Sequence, residues 1–196
     1  ALWFLSTNIA FRARLTRSAR RMEYPGCKLP LYVSGAVETP CLFGVIRPAV
    51  YLTPGAAADP VTLTHSVEHE LTHFRGFMRE NEANFLGYLA CMESPRDDFR
   101  YSGAMMAFSY CYPQLSKADS ELAASVAATV SDGVMRDLVF EDEYWEPYRK
   151  TVTADISNKV YDSYLNANNQ QSGMNSYGEM VDLLLAYRRA QSAENK

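Results

Sequence analysis

The sequence predicts a mainly helical α+β fold, with a small sheet near the N-terminus and a helical C-terminal half. Three observations lead there. β-Branched and aromatic residues gather between Leu29 and Pro54, in short runs broken by turn residues. Helix start and stop signals, Asp59-Pro60 and Gly76, then bracket one segment. Beyond Arg79 the stretches between Pro and Gly punctuation are long and helical in character.

The opening residues, Ala1 to Phe11, are mostly apolar and are followed by Arg12, Arg14, Arg17, Arg20 and Arg21. Two readings stay open. One is the end of a membrane helix with a cytoplasmic basic flank; the other is an ordinary amphipathic helix. A cleavable signal peptide carries its charges ahead of the apolar part, and here they follow it. Residues 1–28 are therefore set apart as a basic segment, amphipathic or membrane-proximal, and residues 29–196 form one domain.

Within that domain LPLYVSGAVETPCLFGVIRPAVYLTP is interrupted at Ser34-Gly35, Pro40, Gly44 and Pro48, which predicts two or three short strands. Asp59 caps, Pro60 takes the first helical position and Gly76 stops, so VTLTHSVEHELTHFR is one helix. A second runs from about Arg79 to Met92 and ends before Ser94-Pro95. Helical character continues over Asp97 to Tyr112, Lys117 to about Val139, and the charged, aromatic Glu141 to Leu165. After the polar loop NANNQQSGMN, a last amphipathic helix covers Ser176 to about Ala190.

A length of 196 residues suits one domain with a real core. No run approaches the roughly 20 apolar residues of a membrane span. The net charge of -4 gives no general electrostatic reason to bind nucleic acid, whose recognition usually rests on a basic face, so that partner class is set aside. Cys27, Cys41, Cys91 and Cys111 are scattered without a CxxC pair and read as reduced structural thiols.

The chemistry concentrates in HELTH. His69 and His73 are four residues apart and project from one helix face a turn apart, the separation two imidazoles need to share Zn²⁺. Glu70 lies beside them, placed to take a proton from water that the metal has made acidic. His65 stands one more turn upstream. Three imidazoles along one straight helix would span roughly 12 Å, too far for one ion, so His65 reads as a surface or supporting residue.

A catalytic zinc site needs one more protein ligand, and the chain has no histidine beyond His73. A carboxylate must supply it. On the following helix Glu80, Ala83, Asn84 and Gly87 share a stripe whose small residues allow close approach, which favours Glu80. The alternative, Glu82, points about 160° away from that stripe on an ideal helix. Asn84, one turn past Glu80, is placed to hydrogen-bond a ligand histidine from behind.

HExxH followed by Glu80, Asn81, Glu82, Ala83 and Asn84 resembles the gluzincin metallopeptidases, with Asn84 standing where their Asp does and a gap to the third ligand much shorter than usual. PCLFGVIRPAVYLTP is similar to the stretch ahead of HExxH in the antirepressor peptidases of β-lactam sensors. The run HELTHFRGFMRENEANFLGYLAC, with the later SYGEMVDLLLAY, is closer still to an uncharacterised bacterial membrane-associated family, domain of unknown function 3810. The likeness covers about Leu29 to Tyr187.

The resemblance implies a zincin-like domain, a Zn²⁺ cofactor and a protein or peptide substrate. The catalytic domain would be membrane-associated, and the basic flank Arg12 to Arg21 suggests the cytoplasmic face. The resemblance also implies that the strand ahead of the catalytic helix, Ala49 to Leu52, is the edge that takes an extended peptide. A Tyr usually stabilises the oxyanion in this chemistry, and Tyr164 or Tyr177 is either that donor or a packing residue. Asn168, Gln170 and Gln171 are equally well explained as solvated turn residues. A different class of function, a non-catalytic zinc-containing sensor or protein-binding module, stands beside the peptidase reading, although retention of Glu70 argues against a purely structural metal.

Overall fold

The computed structural model describes residues 2–44, 47–149 and 176–194. They fall into two compact units, one of residues 1–77 with 86–104 and the other of residues 78–85 with 105–196. The chain is an α+β protein, mainly helical, with one four-stranded sheet among the described residues.

In the first unit, helix α1 (Leu2–Arg17) leads into strands β1 (Arg20–Met22), β2 (Leu31–Val33), β3 (Cys41–Phe43) and β4 (Ala49–Leu52). All four residues of β4 are buried. A strand covered on both faces has no use for polar alternation, which is why AVYL is continuously apolar. Val50 and Leu52 face a cluster with Tyr24, Leu31, Val67 and Phe99, while Ala49 and Tyr51 face Leu15 of α1.

The strand order is β1-β2-β4-β3. β1 runs antiparallel to β2, β2 parallel to β4, and β3 antiparallel to β4 with Cys41 opposite Tyr51. This overturns the expectation that Ala49–Leu52 is the substrate edge: β4 has a neighbour on each side, so its backbone groups are already paired. The strand at the end of the sheet on that side is β3. β1 lies within the N-terminal basic segment and was not anticipated.

α1 is tied to the sheet by polar contacts as well. Ser34 Oγ donates to the Leu15 carbonyl at 3.1 Å, the Thr16 and Tyr51 hydroxyls are 2.9 Å apart, and Arg12 donates to the Arg47 carbonyl. No described helix is long and apolar enough to cross a membrane.

Helix α2 (Pro54–Ala58), capped by Thr53, leads directly into α3 (Pro60–Phe74). Helix α4 (Glu80–Met92) follows, and then α5 (Asp97–Ala118). The Ser102 hydroxyl of α5 donates to the Val61 carbonyl at 2.7 Å.

The second unit holds the first turns of α4, the rest of α5, and helices α6 (Ser120–Ala127), α7 (Asp132–Arg149) and α8 (Ser176–Glu194). α5 passes through Pro113 where a stop at Tyr112 was expected. Proline fixes a φ that suits a helix, but it removes one hydrogen bond and crowds the carbonyl four residues back, at a cost of about 3 kcal/mol that the rest of a 22-residue helix must offset. The helix expected over 117–139 is instead two. Asp119 restarts the chain by accepting the Leu122 N–H at 2.9 Å, and β-branched Thr129 and Val130 lie in the break before α7.

Candidate metal centre

The helix carrying HELTH is set by its first residues. Asp59 accepts the Thr62 N–H at 2.7 Å and Pro60 occupies the first helical position, so α3 begins where the sequence signals place it. Thr62, Thr64, Ser66, Val67, Glu70 and Thr72 turn inward. His69 and His73 then stand one turn apart, ring centroids 4.5 Å from each other and planes at 90°.

The end of α3 prepares the second imidazole. Gly76 has φ +100°, a conformation that favours glycine, and the chain folds back over the last turn. The Gly76 N–H donates to the His73 carbonyl at 3.0 Å and the Phe77 N–H to the Thr72 carbonyl at 3.4 Å. That return brings the Phe77 carbonyl to 2.7 Å from His73 Nδ1. A carbonyl can only accept, so the shared proton sits on Nδ1, which in the neutral ring puts the lone pair on Nε2.

On α4 the stripe Glu80, Ala83, Asn84 and Gly87 is buried. A methyl group placed on Gly87 would meet the His69 backbone nitrogen at 3.4 Å, so the absent side chain lets α4 pass close behind the HELTH turn. Glu80, only 6% exposed, joins the two histidines: ligand-capable atoms of His69, His73 and Glu80 all lie within 4.8 Å of one another.

A tetrahedral ion about 2.0–2.1 Å from its donors holds them about 3.3 Å apart, so the widest pair need close by only about 1.5 Å, within reach of side-chain torsions. Two imidazole nitrogens and a carboxylate oxygen are a donor set that suits Zn²⁺ and leaves one position open. Glu82 lies elsewhere, its side chain 38% exposed and 3.7 Å from Arg79. Asn84 is buried a turn beyond Glu80, and Glu70 is buried beside the histidines in sequence, 7% exposed.

The two histidines are half-buried, and residues 74–79 that follow them are exposed. Burial first, and the neighbouring His69 second, lower the His65 pKa to about 4, with Asp59 opposing, and His65 Nδ1 is sealed without a hydrogen-bond partner. His65 is not among the groups gathered at the candidate site. Burial, then the Glu70 carboxylate, push the Cys41 thiol up to about 11, which places β3 within electrostatic reach of Glu70. Burial likewise raises Cys27, Cys91 and Cys111, and all four thiols are free. Glu68, whose carboxylate accepts from the Tyr24 hydroxyl at 3.4 Å, is raised by burial while Tyr24 and Arg75 oppose.

Of the two tyrosines considered as oxyanion donors, Tyr164 lies outside the described residues, as do Asn168, Gln170 and Gln171. Tyr177 is the second residue of α8. Sequence reasoning missed two residues near the candidate ligand. Asn81, 8% exposed, donates through Nδ2 to Glu179 Oε2 at 3.0 Å. Asn81 sits in RENEAN next to Glu80, and Glu179 in SYGEMVDLLLAY, but no local pattern links segments so far apart.

No curated protein and no solved structure matches the chain at a significant level. Residues 56–185, from α2 into α8, match a family whose description reads protein of unknown function (DUF3810). That match covers well over half of the chain and includes HELTH, Glu80, Asn81 and Glu179, so the chain belongs to the DUF3810 family.

Proposed function

We propose that this chain is the zincin-like domain of a zinc-dependent endopeptidase, with His69, His73 and Glu80 holding the metal and Glu70 as general base. The observation that supports it is the convergence of those three donors within 4.8 Å, with the buried Glu70 following His69 on the same helix. When bound, zinc supplies a Lewis acid that polarises a carbonyl and lowers the pKa of water to about 7.

The side chains do the rest. Glu70 takes a proton from the attacking water and passes it to the leaving amine nitrogen. Phe77, through its carbonyl, keeps the His73 proton on Nδ1 and so holds that ring in its metal-binding tautomer. An extended substrate adds to the end strand β3, whose backbone groups on the side away from β4 face no other strand of the sheet. The basic residues that follow the apolar part of α1 keep the domain near an anionic membrane surface on the cytoplasmic side.

The test pairs metal analysis with a peptide-library digest, run with and without a chelator. The expected result is one zinc per chain and chelator-sensitive cleavage. Glu70→Gln should keep the metal and lose on the order of 10²–10⁴-fold in turnover. Undiminished cleavage by Glu70→Gln would refute the mechanism. Zinc without any cleavage would instead favour the sensor or binding module.

A further inference from the structure

We infer that Asn81 and Glu179 are positioning residues for the metal centre: α8 grips the first turn of α4 through this pair and thereby sets where Glu80 presents its carboxylate. The inference rests on the zinc reading above and concerns what makes that site tight.

The geometry is specific. Glu80 and Asn81 are the first two residues of α4, the end of a helix that frays unless something holds it. Both are buried, yet the side chain of Asn81 leaves the stripe that carries Glu80, Ala83, Asn84 and Gly87 and meets α8. Its Nδ2 donates to Glu179 Oε2 at 3.0 Å. The carboxylate also decides which way the amide faces, because Oδ1 turned toward Glu179 would set acceptor against acceptor. Oδ1 is accordingly left buried without a hydrogen bond, and only a compensating contact at the other end of the amide holds it there.

A second contact one turn along α4 repeats the connection. Phe85 packs edge-on against Tyr187 with ring centroids 5.8 Å apart. Between Glu179 and Tyr187, Met180 and Leu184 of α8 are buried. α4 is thus held along one side at two successive turns, and Glu80, adjacent to the first anchor, inherits its position. Groups that orient a metal ligand from behind commonly change affinity by about 10–100-fold when removed.

The test measures zinc affinity of the full chain by chelator competition, alongside the melting temperature of the metal-free protein. Glu179→Ala and Asn81→Ala are each expected to weaken zinc by about 10–100-fold. The double variant should bind no more weakly than either single one, because both remove the same contact. Glu179→Gln keeps a carbonyl oxygen for Asn81 and should bind within about threefold of the parent, which gives a readout in a chain of near-native shape.

A merely structural role predicts a lower melting temperature with unchanged zinc affinity, and that result overturns the inference. So do losses that simply multiply in the double variant. A parent that binds no zinc sinks the metal reading and this inference together. A parent that binds zinc, with Glu179→Ala binding equally well, sinks the inference alone.

Discussion

Residues 59–92 and residues 119–149 are both mainly helical, but they use burial in opposite ways. In the first, Thr62, Thr64, Ser66, Glu70, Thr72, Glu80, Asn81 and Asn84 are all buried. In the second, Leu122, Met135, Val139 and Phe140 are about half exposed and Ala123 is the one buried apolar residue among those described. Burying polar groups costs free energy unless each is satisfied, whereas exposing single apolar residues is ordinary. The contrast therefore marks 59–92 as the stretch where particular atoms, beyond general hydrophobicity, are constrained.

The largest effect expected from this contrast separates two acids that sit two residues apart. A zinc site worth roughly 10–16 kcal/mol across its ligands implies on the order of 3 kcal/mol for each, so Glu80→Ala should weaken zinc by about a hundredfold or more. Glu82→Ala, at an exposed position paired with Arg79, should change it by less than about threefold. Calorimetric titration of both variants checks this, and equal losses would show that the buried acid has no special place.

The next effect is in pH. The His65 pKa is lowered to about 4 in the folded chain, against about 6.5 when unfolded. Below pH 6.5 the unfolded chain takes up a proton that the folded one refuses. Stability of the metal-free protein is thus full above pH 6.5 and falls toward pH 4, by on the order of 2–3 kcal/mol. Denaturant titrations across that range should show the decline, and His65→Asn should flatten it. An unchanged slope would mean that His65 is hydrated after all.

The smallest effect compares a packed with an unpacked position. Gly87→Val pushes branched carbon toward the His69 backbone and should cost about 1–3 kcal/mol. Val139→Thr, on the exposed face of α7, should stay within about 0.5 kcal/mol. Melting temperatures decide, and similar values for the two would erase the distinction between the regions.

The same contrast explains what could be read in the sequence. The HELTH helix was legible because its cap, its first proline and its terminal glycine are local signals, and a four-residue spacing places two imidazoles together on any helix. Glu80 was legible through the small residues that share its stripe. β1 was not, since Arg20-Arg21-Met22 has none of the apolar alternation of a strand and is recruited by β2. α2 was hidden by the Pro54-Gly55 pair at its start. The break between α6 and α7 lacks proline, and Gly133 lies just past it. Glu179 could not be found at all: its partner Asn81 is 98 residues away, and only folding brings the two together.

β3 carries one last consequence, this time for handling the protein. On its outer side β3 pairs with no other described strand, and a strand edge of that kind can pair with another copy of the chain, which is where proteins begin to aggregate. Here the edge is only three residues long, Cys41–Phe43, too short to hold two molecules together by backbone pairing alone. Concentrated solutions should therefore show weak, reversible association, and a short β-forming peptide supplied in excess should dissolve it.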